Sequence, residues 1–218
     1  MNNSVTLNKI AYNVSALLGN PYDDVLIERI KFEAVNIRAT LIRRDLDRNG
    51  MSTEFLQSLG ELELTCTDIS DCTEVLSFDN VLKTKEKIPK PLRTTASDSF
   101  FYVGTIDKKK SFQESKFSDL EYTKCNKFTG NITKYVYLNE RVYIINPPTD
   151  VFKWINIVSV FANPQDAGML NTCDGTCYTD DSSFYVSEDM VATIEREIFN
   201  LFRGGQPSEN PQVKINND

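Results

Sequence analysis

Any chemistry in this chain falls to carboxylates, lysines, tyrosines and five cysteines, because its 218 residues include no histidine. Histidine titrates near neutral pH, activates serine and cysteine nucleophiles and is the commonest metal ligand. Serine–histidine and cysteine–histidine dyads are therefore impossible within the chain. Asp, Glu, Lys and Tyr can still move protons, so the missing histidine lowers the odds of an enzyme without closing the case. The densest carboxylate group is Asp166, Asp174, Asp180 and Asp181. Its oxygens could hold a divalent cation, yet it matches no calcium-loop pattern, and a solvated acidic loop is the simpler reading.

The cysteines are Cys66, Cys72, Cys125, Cys173 and Cys177. Two pairs, Cys66 with Cys72 and Cys173 with Cys177, could in principle form a four-thiolate zinc site. The first spacing is looser than a zinc knuckle, and the pairs are about a hundred residues apart. An odd count without a secretory signal argues against a disulfide framework, and reduced thiols follow. Glycine-rich phosphate loops are missing, since Gly204-Gly205 follows a helix instead of preceding one. The sequence thus assigns no catalytic, cofactor-binding or metal-ligating residue.

Two groups of side chains point to recognition. Tyr102, Tyr135, Tyr137, Tyr143 and Trp154 could stack on bases or sugars, but alternating aromatics on strands more often pair across a sheet. The second group is basic: Arg29, Lys31, Arg38, Arg43, Arg44 and Arg48 fall on one helical segment. They read either as a solvated face balanced by Glu28 and Glu33, or as contacts to acidic neighbours in an oligomer. Lys108-Lys109-Lys110 reads as a solvated turn tip.

The elements that must carry these groups are legible from periodicity. Leu7, Ile10, Ala11, Val14, Leu17 and Leu18 share one face of a helix over 5–18, stopped by Gly19 and Pro21. Asp23 or Asp24 then caps a second helix over 24–47, with Ile27, Ile30, Ala34, Ile37 and Leu41 as its stripe. Residues 51–60 read as a connector. From Leu62 the period changes to two, with Leu62, Leu64 and Cys66 on one face of a strand. Residues 67–99 read as a polar loop, Phe100–Ile106 as a strand, and Lys134–Leu138 with Arg141–Asn146 as a hairpin turning at Asn139-Glu140. Trp154–Phe161 is a further apolar strand and 163–184 an acidic loop. A last helix over 187–203, capped by Ser187, buries Met190, Val191, Ile194, Ile198, Leu201 and Phe202. Residues 204–218, where Val213 and Ile215 are the main apolar side chains, cannot offset their own ordering entropy and read as an extended docking tail.

Strands that are contiguous rather than alternating with helices define an α+β class. The expected architecture is a small bundle of terminal helices with an inserted, mostly antiparallel β region and an extended C-terminal tail. The corresponding units are an N-terminal helical hairpin (1–50), a β-rich insertion (51–186), the C-terminal helix (187–203) and the tail (204–218). Net charge is −7, so free nucleic acid is not the obvious partner for the whole surface. No apolar run approaches the ~20 residues of a membrane helix, and the opening Met-Asn-Asn-Ser-Val-Thr lacks a signal-peptide pattern. An intracellularly made protein that does not enter a membrane is expected.

Leu7-Asn8-Lys9-Ile10-Ala11 with Leu17-Leu18-Gly19, Glu28-Arg29-Ile30-Lys31, Lys87-Ile88-Pro89, Phe101-Tyr102-Val103-Gly104, Phe161-Ala162-Asn163-Pro164 and the Met190–Phe202 helix are short pieces spread along most of the chain. This pattern resembles head-to-tail connector proteins of tailed bacteriophages, and most closely the ring or adaptor proteins of crAss-like phages. The resemblance implies a non-enzymatic virion component assembled in the host cytoplasm. It implies a closed homo-oligomeric ring of about twelve copies beneath the portal. DNA would pass through its lumen without sequence-specific binding, and terminal segments would reach the portal and neighbouring ring proteins. Arg29, Arg38, Arg43, Arg44, Val213 and Ile215 are then the interface candidates, and no cofactor is implied. The competing readings are another head-completion or minor tail protein, a metal-dependent enzyme using the acidic loop, and a nucleic-acid module using the second helix.

Overall fold

The computed structural model describes residues 5–50, 52–66, 81–93, 100–116, 132–147, 153–170 and 178–204. Helix α1 (Leu7–Leu17) starts where the Thr6 hydroxyl accepts from the Lys9 N–H at 3.2 Å. Gly19, at φ 80°, takes the left-handed turn after it, a conformation with no steric cost for glycine. Asp23 then caps α2 (Asp24–Asn49), its carboxylate accepting from the Leu26 N–H at 3.1 Å. The long final helix, Glu188–Gly204, is called α4 below.

These three helices bury one another. Leu7, Ile10, Ala11 and Val14 of α1, Ile27, Ile30 and Ala34 of α2, and Ile194 and Ile198 of α4 form one apolar cluster with Phe184. Asn13 of α1 donates to Glu195 of α4 at 2.9 Å, which fixes these two helices side by side.

The β region comprises β1 (Gln57–Cys66), β2 (Val81–Thr84), β3 (Tyr102–Gly104), β4 (Gln113–Glu114), β5 (Lys134–Leu138), β6 (Arg141–Ile145) and β7 (Trp154–Ser159). They form a single sheet in the order β3-β7-β1-β2-β6-β5-β4. Among the described residues all pairings between these strands are antiparallel except β4–β5. The fold is therefore α+β with a mostly antiparallel sheet. Two features depart from the expectations. Strand β2 lies inside the segment read as a loop, and strand β1 begins within the segment read as a connector, after a short turn of 3-10 helix at Thr53–Phe55. The register of β1 slips between Ser58 and Glu61 opposite β7, and Gly60 sits there at φ 71°. That bulge brings Leu59 to the same interior as Leu62 and Leu64, which an unbroken period of two would forbid.

The segment after β3 joins the two edges of the sheet. Thr105 N–H donates to Lys110 O at 3.0 Å and Phe112 N–H to Val103 O at 2.7 Å, while Ser115 N–H donates to Tyr135 O at 2.9 Å. One chain segment thus lies against β3 and then against β5, and the sheet curls around a common interior. Leu62, Val103, Phe112, Tyr135, Val142, Ile144, Ile155 and Ile157 fill it from strands all around the sheet. Closure of this kind satisfies edge strands that would otherwise present unpaired backbone. Phe100 packs edge-on against Tyr135 and Tyr137, with ring centroids 6.0 and 5.2 Å apart.

The closing turn carries a testable constraint. Tyr102 OH donates to Thr105 O at 2.9 Å and to Lys110 O at 3.1 Å, crossing directly over Gly104. A side chain at Gly104 would collide with the Lys110 carbonyl and the Tyr102 ring. Gly104→Ala is expected to cost about 2 kcal/mol, as overpacking typically does, and to lower the thermal melt accordingly. A melt indistinguishable from the parent would show that the turn yields without penalty.

Helices and sheet meet along α2. Its second half, through Ile42 and Leu46, packs with Phe55, Leu92 and Val160. A short helix, α3 (Pro164–Leu170), follows β7 inside the segment read as an acidic loop. Pro164 occupies its first position, and Asn163 accepts from the Gln165 N–H at 3.1 Å.

Candidate assembly surface

The arginines of α2 divide by burial. Arg38 is fully enclosed. Its Nε donates to Phe184 O and Tyr185 O, both at 3.1 Å, Nη1 to Phe161 O at 3.1 Å, and Nη2 to Tyr185 O at 2.9 Å. The positive φ of Tyr185, 47°, lets two consecutive carbonyls converge on one guanidinium, where extended backbone would point them apart. The ring of Phe184 lies 5.6 Å from the guanidinium carbon. Burial pulls the guanidinium down to about 10, still well above neutrality, so the charge persists. Arg38 is thus an internal tie between α2, the end of β7 and the approach to α4, and its side chain is not presented to another chain. This corrects its reading as an interface residue.

Arg29, Arg43 and Arg44 are exposed. Arg29 rests 5.2 Å from the centre of the Phe202 ring, which brings the start of α2 beside the end of α4. Val213 and Ile215 lie outside the described residues, as do Cys72, Cys125, Cys173, Cys177 and Asp174. Cys66 is a free, exposed thiol.

The described part of the acidic loop is drawn into the body. Asp180 accepts from Lys31 Nζ at 2.7 Å and from the Gln165 side chain, and its backbone carbonyl accepts from Asn8 N–H at 3.2 Å. Asp181 accepts from the Asn8 amide at 2.8 Å. Burial pulls the Lys31 ammonium down, but hydrogen bonds to Asp180 and Glu28 outweigh it and hold the group above its ordinary value. These carboxylates therefore sew α1, α2 and α3 together. Nearby, Tyr178 donates to Ser183 O at 2.9 Å, and burial pushes its hydroxyl up to about 12, so it stays neutral. Among the described residues no group of three or more potential metal ligands comes together. The groove between α2 and α3, about 450 Å³, is lined by Lys31, Asp180 and Gln165 together with Phe32 and Val35.

The strand aromatics are divided between interior and rim. Tyr135 is buried and Tyr137 packs on the same core, with its hydroxyl donating to Ile88 O at 3.0 Å. Trp154 is partly exposed. Ser187 precedes α4 as expected, but its buried hydroxyl has no hydrogen-bond partner and its carbonyl accepts from Met190 N–H at 3.1 Å instead.

Not every side chain that periodicity assigns to a helix interior is buried: Leu17 and Leu201, expected on the packed faces of α1 and α4, are exposed, as are two residues off the α2 stripe. Tyr22 is 93 % exposed, Val25 81 %, Leu17 66 % and Leu201 47 %. Leu17, Tyr22 and Val25 surround the α1–α2 turn, and the Arg29–Phe202 contact places Leu201 at that same end. Phe32 adds a further exposed ring on α2. The signal was available in Tyr22 and Val25, which fall outside the α2 stripe. Clustered apolar side chains on a charged protein mark a surface that another chain covers.

A body whose converging polar groups are spent on internal ties, and which leaves several large apolar side chains exposed on its helices, has the character of a structural subunit. The chain belongs to the crAss-like phage family described as phage tail ring protein 2, whose family model matches residues 9–218. It is accordingly a structural tail component of a phage virion. No curated protein matches it. No helix of the described residues is long and apolar enough to cross a membrane.

Proposed function

We propose that the chain is one subunit of a closed homo-oligomeric ring in the connector between portal and tail, with no enzymatic role, and that DNA passes through the ring's lumen. The observation that carries this reading is the apolar end of the helical unit in a chain of the ring family. Such a patch is costly to leave in water and suits a heterologous, head-to-tail contact that closes by rotation. The resemblance to connector proteins suggests about twelve copies in that ring. The net charge of −7 also suits the wall of a DNA conduit, because a repelling lumen lets DNA slide. Arg29, Arg43 and Arg44 serve as rim contacts to acidic neighbours, and Val213 and Ile215 as anchors on an adjoining chain. In this reading the N-terminal hairpin (1–50) with the last helix (187–203) packed on it, the β-rich insertion (51–186) and the tail (204–218) are the units of the subunit.

Native mass spectrometry across protein concentration tests the proposal. The expected result is monomer in equilibrium with a single large cyclic species. A concentration-independent dimer would contradict it. Metal-dependent nuclease or hydrolase turnover by the pure protein, lost in Asp180→Asn or Asp181→Asn, would contradict the non-enzymatic part.

A further inference from the structure

We infer that the apolar end of the helical unit is the docking site for residues 205–218 of a neighbouring copy of this chain. The inference rests on the ring proposed above and names the contact that links its subunits. Three observations favour this occupant.

The first is chemical complementarity. The receiving surface consists of Leu17, Tyr22, Val25 and Leu201, with Asp23, Asp24 and Arg29 neighbouring it in sequence and Glu28 paired with Lys31. In residues 205–218, Val213 and Ile215 are the only aliphatic side chains besides the prolines, and Lys214 is the only cation. Residues two apart share one side of an extended backbone. Val213 and Ile215 would thus enter the apolar surface together, with Lys214 on the opposite, solvent side.

The second is position. Helix α4 ends at Gly204 on the same end of the bundle that carries the patch, as the Arg29–Phe202 contact fixes. Val213 follows Gly204 by nine residues, which span up to about 30 Å when extended.

The third is backbone stiffness. Pro207 and Pro211 stand between Gly204 and Val213, and each favours extended backbone for itself and its predecessor. Returning to the adjacent patch of the same copy would need a reversal through this stretch. Reaching outward to the next copy does not, and repetition of that step around an axis closes a ring.

The test uses protein lacking residues 206–218 and a fluorescently labelled peptide of residues 205–218, read by anisotropy. Saturable binding is expected. It should weaken at least tenfold with Val25→Asp or Tyr22→Asp in the protein, or with Ile215→Asp in the peptide. Both patch residues are strongly exposed, so these variants keep the fold, which circular dichroism verifies. Absence of saturable binding, or binding indifferent to both patch variants, overturns the inference. So does a full-length chain that stays monomeric and refuses the peptide, because its own tail then occupies its own patch. Native mass spectrometry of full-length Val25→Asp separates the two claims. Rings that persist undiminished remove this contact but leave the ring reading intact. Failure of the parent chain to form rings at any concentration removes the ring reading itself.

Discussion

Arg38→Met should lower the melting temperature by about 10 °C, the largest effect expected of any single substitution on α2. The guanidinium satisfies the carbonyls of Phe161, Phe184 and Tyr185 in a site closed to water. Methionine has similar length and would fill the space, so the loss isolates the hydrogen bonds. Two buried acceptors and one half-buried acceptor left without donors cost about 3 kcal/mol together, since each unsatisfied group bears its desolvation penalty. Arg38→Lys should recover little, because an ammonium cannot span the planar fork that the three carbonyls match. Thermal unfolding followed by circular dichroism decides it. A parent-like melt for Arg38→Met would show that the carbonyls find water or each other, and that Arg38 is dispensable to the fold.

The second large effect concerns assembly. Deleting residues 206–218 should leave the melting temperature of the isolated protein nearly unchanged and prevent stable incorporation into the particle. The segment follows a helix through Gly204-Gly205 and offers little apolar surface, so folding on itself cannot offset its ordering entropy. Its free energy would be recovered only against another chain. Quantitative mass spectrometry of purified particles reads the outcome. Truncated protein at parental occupancy would place the essential docking surface on the helical unit alone.

How far these features were legible in the sequence can be traced to particular residues. Caps and stops are local, and Thr6, Asp23 and Gly19 act within one helical turn of where they sit. The Asn139-Glu140 reversal is equally local, both residues taking positive φ (50° and 60°) in a two-residue hairpin turn. The stripe of α2 is not. Periodicity assigns Ile37 and Leu41 to it, whereas the fully buried line runs Ile30, Ala34, Arg38, Ile42, Leu46. Four-residue steps advance 400° on a 100° helix, so this line drifts around the axis. The drift arises because α2 changes partner along its length, from α1 and α4 at one end to Phe55, Leu92 and Val160 at the other. A charged residue on that path looks solvent-facing unless both partners are known, and Arg38 was therefore misplaced.

The short helix α3 was also masked by composition. Asp166 and the carboxylates downstream suggest a loop, although Asn163-Pro164 is a capping residue followed by the preferred first residue of a helix. Sheet closure through residues 110–114 left no sequence signal, because β4 is only Gln113–Glu114 and its pairings are set by the two edges it joins. The apolar patch is only half visible to periodicity. Tyr22 and Val25 lie off the stripes, whereas Leu17 and Leu201 fall on the periodic faces of α1 and α4 and yet stay exposed, because a helical period does not distinguish a side chain packed within the chain from one left outside it.

The central claim is that this chain closes into a ring through which the phage genome passes, and imaging the assembled virion tail by electron cryomicroscopy tests it most directly. The account predicts a closed ring around the tail axis whose subunits each match this α+β fold, with an open lumen wide enough for duplex DNA. Tail density in which the fold occurs as isolated copies off the axis, or in which the ring surrounds a sealed centre, would contradict it.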